Sequence, residues 1–167
     1  MNSNVLKAGA AVAMLGVSAW FVLGRMNEPE PGEMSFFYDL SEKRIYKAPK
    51  DSILPHEGVG GAAGDGYRAF VIAPKGEADK PESRKAAYIE SYTPEFAGRL
   101  KAYAASLKDQ SLPRVTLSRE ETWKGTLVRR LSEEAWHEQS SPAGEDIRRE
   151  WMNPGPDGRA WVVCEPR

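Results

Sequence analysis

KAAYIESYTPEFAGRLKAYAASLKD, Lys85 to Asp109, changes its hydrophobic period halfway, and that change decides the fold class. Lys85 to Ser91 reads as a strand built around Tyr88 and Ile89. Thr93-Pro94-Glu95 then starts a helix: Thr93 can cap, Pro94 suits the first helical position, and Glu95 complements the positive end of the helix dipole. Phe96, Leu100, Tyr103 and Leu107 recur at spacings of four, three and four, which places them on one helical face ending near Asp109. That stripe is expected to be core.

Upstream, Ser35 to Leu40 and Arg44 to Ala48 are β-rich runs separated by Ser41-Glu42-Lys43, a hairpin stopped by Pro49. Tyr67 to Ala73 predicts a third strand, and Pro74 to Glu82 a polar turn. Downstream, Val115 to Leu117 predicts a short strand. Ser118-Arg119-Glu120-Glu121 has the capping-box pattern and predicts a single helical turn before Gly125. Thr126 to Leu131 alternates as a strand. Ser141-Pro142 opens a further helix, with Ala143, Ile147 and Trp151 four apart. Asn153 to Gly158 breaks it, and Arg159 to Cys164 closes the chain as a strand. Strands interleaved with two or three helices predict an α+β domain on a small, mainly antiparallel sheet, over residues 34–167.

Before that domain, Val5 to Leu23 is apolar or small except for Lys7 and Ser18. Its uncharged part, Ala8 to Gly24, is 17 residues, or about 25 Å of helix. That length approaches the hydrocarbon thickness of a bilayer, with Lys7 and Trp20 at the two interfaces. Residues 1–25 are therefore read as a transmembrane anchor. A signal peptide cleaved after Val17-Ser18-Ala19 is the rival, and the apolar run through Phe21-Val22-Leu23 argues against it. No cysteine near the segment offers a lipid attachment point, and the glycine and glutamate of a prepilin processing site are missing. The four-residue head before the apolar run resembles a signal anchor. The expectation is a single-pass protein of the cytoplasmic membrane, its soluble domain on the periplasmic or external side. Residues 26–33, with Glu28-Pro29-Glu30-Pro31, form an extended Pro/Glu linker.

Charge narrows the partners. Of 167 residues, 23 are basic and 24 acidic, a formal net charge of -1. Lys7 and Arg25 lie at the anchor; without them 21 basic residues face the 24 acidic ones. No clustered basic face emerges for nucleic acid. The glycine-rich stretch Leu54 to Phe70 is the one candidate for nucleotide phosphate. It ends Gly64-Asp65-Gly66 rather than Gly-Lys-Ser/Thr, and it opens a strand rather than a helix. The expectation is a mobile connector, no nucleotide and no cofactor.

Catalytic residue types are scarce. The single cysteine, Cys164, lies in the apolar run Trp161 to Cys164 and reads as a buried thiol. The histidines are His56, beside Glu57, and His137, three residues after Glu134. Should His56 and His137 meet in space, Glu57 or Glu134 would complete a three-ligand zinc site for a metal-assisted hydrolase. No nucleophile elbow is present. Trp123, Trp136, Trp151 and Trp161 lie in the last third and are expected to fill the core. If two were exposed together, Trp123 and Trp136 among them, they would offer a surface for a protein partner.

Phe37-Tyr38-Asp39-Leu40, Ala48-Pro49 through Pro55, and Gly66-Tyr67-Arg68-Ala69 are also joined by Tyr88-Ile89-Glu90, Tyr92-Thr93-Pro94-Glu95 and Ser141-Pro142-x-Gly144-x-x-Ile147. With Pro156-Asp157-Gly158 and Cys164-x-Pro166, this order resembles uncharacterised small bacterial proteins with one N-terminal membrane segment and an α+β envelope domain. The likeness spans nearly the whole chain after the linker. Such proteins carry extra cysteines around the third strand and before the Pro-Asp-Gly turn, where this chain has none. The resemblance implies a membrane-tethered envelope domain and supplies no activity and no catalytic residues. The function expected is a non-enzymatic accessory or interaction protein, with the hydrolase and a pilin-like assembly subunit as alternatives.

Overall fold

Alternating side chains and a tight turn begin the sheet. In the computed structural model, which describes residues 33–61, 64–109 and 111–166, β1 (Met34–Asp39) pairs with β2 (Arg44–Pro49) in unbroken antiparallel register. The expected anchor, and all of the linker but Glu33, lie outside the described residues. Asp39 organises the turn. Its Oδ1 accepts hydrogen bonds from the Ser41 hydroxyl at 2.9 Å and the Glu42 N–H at 2.8 Å, a side-chain mimic of a backbone turn.

β3 (Gly66–Pro74) is the centre. One of its edges is shared, with β1 against Gly66 to Arg68 and β7 (Trp161–Val163) against Ile72 to Pro74. Its other edge takes β4 (Lys85–Tyr92), with one extra residue, Ala87, bulged out where Phe70 gives way to Val71. β5 (Thr126–Arg129) follows β4, and β6 (His137–Glu138) follows β5. The order is β2-β1-β3-β4-β5-β6, every pair antiparallel.

Three α-helices complete the described part. α1 (Pro94–Lys108) begins where Thr93 Oγ1 accepts the Phe96 N–H at 3.2 Å. α2 (Arg119–Gly125) has both arms of the capping box, between Ser118 and Glu121. α3 (Pro142–Glu150) is capped by Ser141, whose Oγ accepts the Gly144 N–H at 3.1 Å. These are local signals, and each starts its helix where the sequence predicts. The domain is a small α+β fold with an antiparallel sheet.

Directly opposed residues in a sheet share a face, so the register sorts the core. Phe36, Ala69, Val71, Ala73 and Ile89 lie on one face with Cys164, and Tyr67 and Trp136 pack beside them. Phe37, Tyr88 and Val128 lie on the other, which the helices cover: Ile147 of α3 packs on Tyr88 and Val128, and Phe96 of α1 meets Tyr92 edge-on. Phe37, Ile89 and Val128 are fully buried, each contributing about 2–3 kcal/mol of apolar burial. Cys164 is buried as its apolar run predicts, and burial raises its thiol pKa.

Four expectations change. Val115 to Leu117 forms no strand; its polar groups go to α1 side chains, the Val115 N–H donating to Ser106 Oγ and the Thr116 carbonyl accepting from Arg99. β6 arises within the acid-rich stretch around His137, where no strand is predicted. Of the α1 stripe only Phe96 is buried, and Leu107 keeps 61% of its surface open. None of Trp123, Trp136, Trp151 and Trp161 is a core residue: Trp123 is exposed and the other three are half-buried.

Candidate functional site

A single row crosses the helix-covered face: Tyr46, Phe37, Arg68, Glu90, Val128 and His137, each directly opposite the next. Its middle is charged. Arg68 Nη1 stands 4.0 Å from Glu90 Oε2, with 24% and 20% of the two side chains open to solvent. Arg148 approaches from α3, its guanidinium over the Trp123 ring at 4.7 Å. Burial raises the Glu90 pKa, and the positive charges of Arg68 and Arg148 offset part of that rise. Tyr88, next to this group, is pushed up to about 12, first by burial and then by Glu90, with Arg148 opposing. One half-buried carboxylate therefore feels the charge of two arginines. The Nε atoms of both are buried without a hydrogen-bond partner among the described residues.

Beside Arg68 the sheet opens into a cavity of about 260 Å³ between α1 and residues 50–53. Its walls include Ile53, Leu100, Tyr103, Ala104 and Leu107. A second concavity, of about 340 Å³, lies where α3 ends and β7 passes. It contains Trp151 and Trp161 together, rimmed by Lys85, Glu150 and Asn153. Trp151 tilts against Phe70 at 5.3 Å, and the Lys85 ammonium sits 3.7 Å from the Trp161 ring centroid. The turn that rims this groove is held by Gly155 N–H donating to the Arg159 carbonyl at 2.8 Å, and by an Arg159–Glu77 ion pair at 2.7 Å.

The glycine-rich connector is tied down. His56 and Gly66 exchange backbone hydrogen bonds of 2.7 and 2.9 Å. Gly60 N–H donates to Asp39 Oδ2 at 3.3 Å, and Ser41 Oγ joins Asp39 Oδ1 to Asp65 Oδ2. A Cβ at Gly58 would collide with carboxylate oxygens of both Asp39 and Asp65, so glycine there lets the backbone approach the acid pair. Asp39 is fully buried, and its pKa falls to about 2. The N–H of Glu42 is the first cause; burial opposes it, and Ser41, Gly60 and Val59 add to it.

The predicted site residues lie apart. His56 sits against Gly66, its ring 5.8 Å from Phe37 and its Nδ1 2.8 Å from the Glu57 carbonyl. Glu57 enters the structure through that carbonyl, which also accepts from the Tyr46 hydroxyl. His137 is in β6, with Nε2 3.6 Å from Glu133, and Glu134 is exposed. His56 pairs with Gly66 at the end of β3, whereas His137 lies in β6, which β4 and β5 separate from β3 in the sheet. Among the described residues no group of three His, Cys, Asp or Glu side chains is placed to hold a metal. Trp123 stacks under Arg148 on the helical side, whereas Trp136 packs on Tyr67 at 5.1 Å and under Arg129 on the opposite face. The tryptophans brought together are Trp151 and Trp161.

Sequence reading passed over Arg68, Glu90 and Arg148. A charge within each apolar strand, Arg68 in Tyr67 to Ala73 and Glu90 in Lys85 to Ser91, was the available signal. No family model, no curated protein and no solved structure matches the chain. The likeness to small bacterial single-anchor proteins thus stays one of short motifs.

Proposed function

We propose that the chain is a membrane-anchored accessory or interaction protein of the bacterial cell envelope, non-enzymatic, with a protein partner. Its anchor would be the apolar segment Val5 to Leu23, with the α+β head on the periplasmic or external side. Among the described residues no helix is long and apolar enough to cross a membrane.

The observation that carries the reading is the groove with Trp151 and Trp161. Two indoles share one concavity, Lys85 and Glu150 supply charge at its rim, and hydrogen bonds fix the turn beside it. Aromatic anchors within a polar rim are what protein interfaces use for their strongest contacts. The hydrolase reading requires His56 and His137 in one site, and no observation favours it. The pilin-like reading rests only on an apolar N-terminal segment ahead of an α+β head.

One experiment addresses anchor and groove together. A photocrosslinking amino acid replaces Asn153 in the chain with its N-terminal segment, expressed in bacterial membranes. Carbonate washing should leave the protein in the pellet, and illumination should give one discrete adduct that Trp161→Ala removes. Release by carbonate would end the anchor; adducts equally abundant with Trp161→Ala would end the groove as a partner site.

A further inference from the structure

We propose that the cavity between α1 and residues 50–53 binds a small carboxylate with an apolar body, the carboxylate held by Arg68 and the body lying along Leu100, Ala104 and Leu107. This goes beyond the accessory role and does not depend on the anchor or on the tryptophan groove.

Arg68 has donors to spare. Its Nη2 donates to the Lys50 carbonyl at 2.7 Å. Its Nη1 is 4.0 Å from Glu90, outside hydrogen-bonding range. Its Nε is buried and unpartnered. Nη1 therefore has donors that a carboxylate oxygen can take. Charge points the same way. Glu90 is the acid opposite Arg68 in the sheet, and Arg148 draws on the same carboxylate. Lys50 and Asp51 also line the cavity, and Lys50 is paired with Glu33 at 2.6 Å. Arg68 itself has no carboxylate nearer than Glu90 at 4.0 Å.

The walls specify the remainder of the ligand. Leucine at position 107 is exposed beside an open apolar concavity, although the helical stripe it belongs to was expected to be core. Exposed apolar surface around a charged floor is the usual composition of a ligand site. At about 260 Å³ the cavity lies below the range of drug-sized sites, which limits the body to a short aliphatic chain or a single ring. Tyr92, below the Arg68 guanidinium at 5.8 Å, forms an aromatic part of the floor.

The protein, in phosphatidylcholine nanodiscs if it stays with membranes and in plain buffer if it does not, is titrated with octanoate labelled with carbon-13 at the carboxyl, with the same medium without protein as blank and 1-octanol as the uncharged counterpart. The carboxyl resonance should shift saturably, with octanol at least tenfold weaker. Arg68→Gln should weaken octanoate at least tenfold and make acid and alcohol equal. Ala104→Phe fills the cavity while leaving Arg68 in place, and it should abolish saturable binding. Leu107→Glu, at an exposed position, should weaken octanoate severalfold without lowering the melting temperature. A signal that does not saturate, equal binding of acid and alcohol to the wild type, or wild-type affinity in folded Ala104→Phe and Leu107→Glu proteins overturns the proposal. If Arg68→Gln fails to fold, the octanol comparison and the other two variants decide.

Discussion

Asp39 and Glu90 are carboxylates on the same helix-covered face of one sheet, and burial disfavours the charge of both. Their pKa values nevertheless move in opposite directions, Asp39 down to about 2 and Glu90 upward. The difference lies in donors. Asp39 collects the N–H groups of Glu42, Gly60 and Val59 and the Ser41 hydroxyl, enough to outweigh desolvation. Glu90 has guanidinium groups near it, and its closest contact with Arg68 is 4.0 Å. Burial alone does not set the sign of a shift; the number of hydrogen bonds to the charged form does. One carboxylate is held in its ionised form as a structural anchor, and the other is left with arginines it does not fully satisfy, beside a cavity.

The comparison breaks first at Asp39. Asp39→Ala would leave Glu42, Val59 and Gly60 N–H groups without their acceptor and release the connector from the hairpin. We expect a loss of roughly 10 °C in melting temperature, the scale of removing several buried hydrogen bonds from a domain of this size. The wild type should also show acid sensitivity of matching sign. A carboxylate with a depressed folded pKa contributes stability above its unfolded value near 3.8, and that contribution is lost as pH falls toward about 2. Thermal melts between pH 2 and pH 5 should therefore converge for wild type and Asp39→Asn at the acid end. Melts that remain parallel would show that Asp39 is no anchor.

A smaller effect is expected at Gly58, on the partner side of the same contact. Gly58→Ala places a methyl group against both Asp39 and Asp65. Overpacking of this kind costs about 1–3 kcal/mol, measured by urea denaturation. The background matters more than the size: in Asp39→Ala the collision is halved, so the two substitutions should be less than additive. Full additivity would separate the glycine from the acid and remove the connector from the comparison.

The uneven legibility of the two carboxylates has a physical cause. Thr93-Pro94-Glu95, the Ser118–Glu121 box and Ser141-Pro142 act within one helical turn, so their helices were readable residue by residue. The β-rich runs Ser35 to Leu40 and Tyr67 to Ala73 likewise exposed the strands. Asp39 receives Gly60 from 21 residues away, and no local pattern announces that a glycine-rich loop wraps an acid. Glu90 faces Arg68 only because β3 and β4 pair in one register, interrupted by the bulge at Ala87. β6 exists because β5 offers it an edge. The tryptophans misled for a related reason: size predicts burial, but Trp151 and Trp161 lie where α3 ends and β7 has only three residues, too little structure to cover them.

The smallest effect, and the one that sharpens the contrast most, is at Glu90. A group whose folded pKa is raised contributes stability that is full below its unfolded value, near 4.5, and is lost as pH rises through the folded value. Above its folded pKa the ionised Glu90 is therefore a net burden on the fold even with Arg68 and Arg148 present. Glu90→Gln keeps the shape of the protonated acid. It should leave the melting temperature at pH 7 unchanged or raised by a few degrees, and it should remove the decline with rising pH above 4.5 that the wild type shows. The direction opposes that of Asp39→Asn, although both replace a buried acid by its amide on the same face. A Glu90→Gln protein that melts well below the wild type at pH 7 would mean that the arginines need the carboxylate more than desolvation penalises it. Glu90 would then be an anchor like Asp39, and Arg68 would have less charge to offer a ligand.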